Sequence, residues 1–155
     1  MFEKFKKYII ENKNQENNLK HNFYKVKFEN IRETEISIQL PLELKLFYEE
    51  VGYGFFYKKL DSIDRLLSPL QVKQINLRED FYEFDPDLEL FKADFYKDKL
   101  IFFEINDGNY LLINKRNDQD KNAIYYFDIK IADSLSEFLN RFDDEGHYFE
   151  LDEMS

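Results

Sequence analysis

Residues 100–115 read LIFFEINDGNYLLINK, and residues 123–142 read AIYYFDIKIADSLSEFLNRF. In the first stretch two apolar runs flank Asn106, Asp107, Gly108 and Asn109, the composition of a β-hairpin turn. A third aromatic run, Ile124, Tyr125, Tyr126 and Phe127, follows a charged loop and predicts another strand. The hydrophobic period then changes from two to 3.6. Leu135, Phe138, Leu139 and Phe142 fall at i, i+3, i+4 and i+7, so one helical face is apolar. Ser134 and Glu137 have the spacing of a capping box, in which each side chain satisfies a free amide at the helix start. Strand, turn, strand, strand and helix are therefore the best-supported elements of the chain. None of these elements carries obvious chemistry.

Working back from this stretch, residues 40–56 read LPLELKLFYEEVGYGFF. Pro41 suits a first helical turn, where its missing N–H would be unpaired anyway. Leu44, Phe47, Tyr48 and Val51 repeat at helical spacing, Gly52 supplies the stop, and Phe55 to Tyr57 read as a strand. Ser68–Pro69 marks another helix start. Residues 23–35 fit a strand (Tyr24, Val26, Phe28 alternate) or a helix, and Ile36, Ile38 and Leu40 alternate like a strand. Residues 12–22 read as an Asn-rich polar spacer with little to bury. Phe2, Phe5 and Ile9 predict a short amphipathic N-terminal helix docked on the domain. Residues 79–98, EDFYEFDPDLELFKADFYKD, are dense in acids and rings, and Pro86 argues against one continuous helix there.

With 155 residues the chain suits one domain, large enough to bury roughly 70% of its unfolded surface. Its 18% aromatic content, with 17 Phe and 11 Tyr, fills a core with few small residues and leaves rings for an interface. The absence of Cys excludes disulfides and thiolate metal sites. No uninterrupted apolar run approaches the ~18 residues of a membrane span, and the N-terminus lacks a signal peptide's apolar region. The expectation is a cytoplasmic protein without a membrane partner. Net charge is −10 and unevenly placed. Residues 1–60 hold 11 Lys/Arg and 9 Asp/Glu, whereas residues 61–155 hold 11 and 23. Such an acidic surface repels nucleic acid and speeds encounter with basic proteins.

Residues suited to catalysis are sparse. His21 lies in the polar spacer and His147 in the C-terminal tail, and both read as surface histidines outside any Ser–His or metal-ligand arrangement. Asp85–Pro86–Asp87 with Glu89, and Asp118–Gln119–Asp120, resemble fragments of oxygen-ligand loops but lack the glycine an EF-hand loop needs. Gly52–Tyr53–Gly54 lacks the third glycine and preceding strand of a dinucleotide site. No cofactor or metal is expected, nor enzymatic activity. A carboxylate enzyme would require two acids converging in a concave pocket.

The block formed by Leu40, Pro41, Phe47, Tyr48 and Gly52 resembles the signature helix of the SMI1/KNR4 family, also called SUKH. The hairpin, residues 131–142 and the intervening YGFFYKKLDSIDRLLSPLQV resemble the family's later strands and helices. The likeness spans roughly residues 27–143 and is nearest to small bacterial members of the YobK type. It implies one SMI1/KNR4-like domain over residues 1–155, of the α+β class, with a central, mostly antiparallel sheet flanked by helices. It also implies a non-catalytic role. Many bacterial members are immunity proteins that neutralise polymorphic toxins, often nucleases, while fungal members are regulatory interaction proteins.

Two readings follow: an antitoxin that binds a cognate secreted toxin domain with a basic surface, or an adaptor for another cellular protein. The gene neighbourhood separates them. The expected contact region is residues 79–98 with the turn at 106–109, and its individual candidates are Tyr82, Asp85, Asp87, Glu89, Tyr96, Asp107 and Asn109. Oligomeric state stays open.

Overall fold

The strands are β1 (Asn22–Tyr24), β2 (Tyr53–Phe56), β3 (Asp64–Leu66), β4 (Lys99–Ile105), β5 (Asn109–Asn114), β6 (Ile124–Tyr126) and β7 (Ile129–Ala132). Between and after them run α1 (Phe28–Ser37), α2 (Leu42–Glu50), α3 (Pro69–Leu77) and α4 (Leu135–Glu145). This is a computed structural model, and it describes residues 1–58, 63–106 and 108–150. Among these residues the strands form one sheet in chain order, and every neighbouring pair is antiparallel. The fold is α+β, as the family resemblance implies.

The β4–β5 hairpin lies at the centre of this sheet. β4 is buried along its whole length, so it is covered on both faces. A register shift between Ile101 and Phe103 marks a bulge. Such an irregularity re-aims neighbouring side chains, and both Phe102 and Phe103 reach Phe138, with ring centroids 6.3 and 5.5 Å away. Helix α4 buries Leu135, Phe138, Leu139 and Phe142, the four residues its periodicity selects. Phe142 also meets Phe56 and Phe103 edge-on. Each such ring contributes about 2 kcal/mol through area removed from water.

Polar residues join the layers. Glu43, on α2, is buried and accepts N–H bonds from Asn122 (2.6 Å), Leu135 (2.9 Å) and Ser136 (3.1 Å). The last two are free amides of the first turn of α4, where a carboxylate is also favoured by the helix dipole. Ser134 Oγ accepts the Glu137 N–H at 3.0 Å, half of the expected capping box. The Glu137 carboxylate receives the Asp133 N–H at 2.8 Å, one residue further out than the motif requires. At α3 the box is complete, between Ser68 and Gln71.

Several local expectations change. The 23–40 stretch is first strand and then helix, and Ile36 stands 85% exposed on α1 because the residues around it follow a 3.6 period. Strands β3 and β7, each of three or four residues, are too short for their alternation to stand out. The N-terminal helix is a 3-10 helix, Glu3–Tyr8, and its Phe2 and Phe5 pack on Phe47 at 5.1 and 6.1 Å. The polar spacer is also structured: Asn12 and Gln15 cap a second 3-10 helix, Lys13–Asn17, and His21 and Asn22 are fully buried. His21 accepts the Tyr57 N–H at Nδ1 (3.0 Å), and its Nε2 lies 2.6 Å from Asp143. Burial pushes the His21 pKa down. Burial opposes ionisation of Asp143 as well, but hydrogen bonds from His21, Lys20 and Lys4 outweigh it and hold its pKa at about 2. A histidine read as exposed is therefore a buried link between the N-terminal segment and α4.

Glycine is required where β2 passes β1. A Cβ on Gly52, at φ +133°, would lie 2.0 Å from the Tyr24 carbonyl oxygen, an approach only glycine permits.

Candidate functional site

The acid-rich stretch between α3 and β4 folds as three 3-10 helices, Asp80–Tyr82, Pro86–Lys92 and Asp94–Tyr96. Pro86 starts the second one, as its fixed φ favours. A 3-10 helix has three residues per turn, so residues three apart share a side. Tyr82, Leu88 and Phe91 are buried, while Phe81, Phe84 and Leu90 are exposed. Buried Phe91 packs on the sheet 6.3 Å from Tyr110 of β5, and the exposed Phe95 lies 5.9 Å from Tyr125 of β6. Arg78 holds the segment against α3. Its guanidinium donates to the carbonyls of Ile75 and Leu88, the latter at 3.4 Å.

Of the residues expected to make contacts, the structure sorts the rings from the acids. Tyr82 and Tyr96 are 6% and 8% exposed, so their rings form the floor of the segment rather than its outer face. Asp87 and Glu89 are exposed, and Asp85 is half-exposed. Asp85 caps the Pro86–Lys92 helix by accepting the Asp87 N–H at 2.9 Å. Glu89 accepts from Lys92 Nζ at 3.0 Å. The hairpin turn comes up beside them: a Cβ on Gly108 would lie 3.6 Å from an Asp87 carboxylate oxygen. Asn109 is exposed and pairs with Ile105 where β5 begins, and Asp107 lies outside the described residues. Segment and turn thus share one rim, which acids dominate. The sequence reading missed Phe81 and Phe84, 83% and 86% exposed. Their spacing of three was the available signal.

Other groups are committed to the scaffold. His147 lies 2.9 Å from Asp64 through Nε2 and 3.2 Å from Glu150 through Nδ1. The bond to Asp64 raises its pKa against the opposing effect of burial. Both nitrogens of each histidine are therefore engaged. Under the segment, a cavity of about 500 Å³ is lined by Arg78, Lys97, Lys99 and Lys115, with no carboxylate among the described residues around it. Paired acids do not converge there. Among the described residues no group of three or more His, Asp or Glu is arranged to hold a metal ion, and no helix is long and apolar enough to cross a membrane. The arrangement is suited to recognition: fixed acids around protruding rings, on a segment held from below.

The profile of the SMI1 / KNR4 family (SUKH-1) matches residues 29–141. Over 134 residues the chain is 42% identical to immunity protein YxxD of Bacillus subtilis (strain 168), an alignment that covers 85% of this chain and 90% of that protein. No solved structure gave a significant match. The chain belongs to the SMI1/KNR4 family.

Proposed function

We propose that this member of the SMI1/KNR4 family is a bacterial immunity protein that neutralises a toxin by binding it, without catalysis. The observation that carries the reading is its 42% identity to an immunity protein over most of both chains. The partner we propose is a cognate secreted toxin domain with a basic surface, met in the cytoplasm. A nuclease fits best, because such enzymes hold phosphates with Lys and Arg. A rim of Asp85, Asp87 and Glu89 beside Asn109 offers carboxylates to the same cations. Occupying them keeps the nucleic acid out, and the long-range field of the acids speeds the encounter.

Co-expression tests this. The C-terminal domain of a secreted protein encoded beside this gene should kill a host alone and spare it when this chain is present. The two chains should then co-elute on size exclusion. Killing that this chain does not relieve would count against an immunity role.

A further inference from the structure

Resting on that reading, we infer that Phe81 and Phe84 are the anchor side chains of the interface, and that the partner receives them in an apolar recess rimmed by cations. Both are among the most exposed large apolar side chains of the described residues. They lie three residues apart, in and just after the 3-10 turn Asp80–Tyr82, so both fall on its outer side while Tyr82 between them is buried. Asp80, Glu83 and Asp85 alternate with them in sequence. Two exposed rings inside a carboxylate rim match, in charge, a basic surface with an apolar centre. Lys and Arg can also stack on the ring faces.

The turn that carries Phe81 is held in place. Phe81 stands edge-on to Tyr82 at 5.2 Å. Asp80 takes a left-handed conformation at φ 51° and accepts from Gln74 Nε2 of α3 at 3.0 Å. The neighbouring Arg78, also left-handed at φ 55°, ties the turn to Ile75 and Leu88. A preorganised aromatic loses little freedom on binding, and interfaces concentrate their energy in a few such residues. The acids then set encounter rate and orientation, and the rings set how long the complex lasts.

The test measures the affinity of this chain for the toxin domain encoded beside its gene, by calorimetry. The variants are Phe81→Ala, Phe84→Ala and, on the exposed side of α1, Ile36→Ser as a rival apolar surface. Each Phe variant should weaken binding by roughly 30-fold or more, mainly through faster dissociation, with an unchanged melting temperature. Ile36→Ser should bind like the wild type. Wild-type affinity in both Phe variants would overturn the anchors and leave the immunity reading standing, as would a loss confined to Ile36→Ser. If the wild-type chain itself does not bind the domain, the immunity reading falls and the anchors fall with it.

Discussion

Phe81 and Tyr82 meet edge to face, their ring centroids 5.2 Å apart at 86°, yet Tyr82 is buried and Phe81 projects into solvent. A single peptide bond thus separates a ring that holds the fold from a ring that does not.

That division predicts opposite outcomes for the two truncations. Tyr82→Ala should lower unfolding free energy by about 3 kcal/mol, the cost of an emptied aromatic site. Phe81→Ala should stay within about 0.5 kcal/mol of wild type, as surface changes do. Urea denaturation followed by circular dichroism reads both, and equal losses would contradict the geometry.

Glu43 accepts three amides on one buried carboxylate, two of them fully buried. Glu43→Ala orphans them and should destabilise the chain by about 3 kcal/mol or more. Glu43→Gln keeps one carbonyl acceptor and should cost less. The measured ranking in denaturant midpoint checks this, and a neutral Glu43→Ala would refute the clamp.

Two titrations bear on stability with opposite signs. The folded pKa of Asp143, about 2, lies below the ordinary 3.8, so its contribution is present above pH 3.8 and is lost as pH falls toward 2. That contribution is worth about 2 kcal/mol. His147 has its pKa raised above 6.5, so its contribution is complete below pH 6.5 and lost as pH rises through the folded value. In denaturation series, the wild-type advantage over Asp143→Asn should shrink in acid. The advantage over His147→Gln should shrink above pH 6.5. The reverse order would contradict both assignments.

Gly52 and Gly146 both have positive φ, but only Gly52 faces a carbonyl, with nothing within 4 Å of a Cβ at Gly146. Gly146→Ala should cost about 1 kcal/mol from conformation alone. Gly52→Ala must also displace the Tyr24 carbonyl and should cost clearly more. Thermal melts of the two variants decide this, with equal shifts as the contrary result.

How far the sequence could be read follows from the range of the interactions. Helix α4 and strands β4 and β5 were legible because their signals are local: a 3.6 period in Leu135–Phe138–Leu139–Phe142 and a polar turn between apolar runs. Pro41, Ser68 and Pro69 likewise announced their helices. The burial of His21 is not legible locally, because its Nε2 partner Asp143 lies 122 residues away and the rings of Phe56 and Tyr57 that cover it are more than 30 residues away. Strand β7 was passed over because Ile129 and Lys130 are exposed on a four-residue edge. At the candidate site, composition marked a segment dense in acids and rings but not its orientation. A 3-10 turn sets adjacent residues about 120° apart, so Phe81 and Tyr82 face different ways although composition does not separate them. The acids were easier to place, since neither Asp87 nor Glu89 has a buried role to fill.

The most direct measurement is the association rate with the neighbouring toxin domain as a function of salt, for wild type and for Asp85→Asn/Asp87→Asn/Glu89→Gln together. An acidic face meeting a basic partner predicts a wild-type rate that falls roughly tenfold or more from low to high salt, and a slower, flatter profile for the variant, with dissociation nearly unchanged. A salt-independent wild-type rate, or a triple variant that associates as fast as wild type, would contradict it.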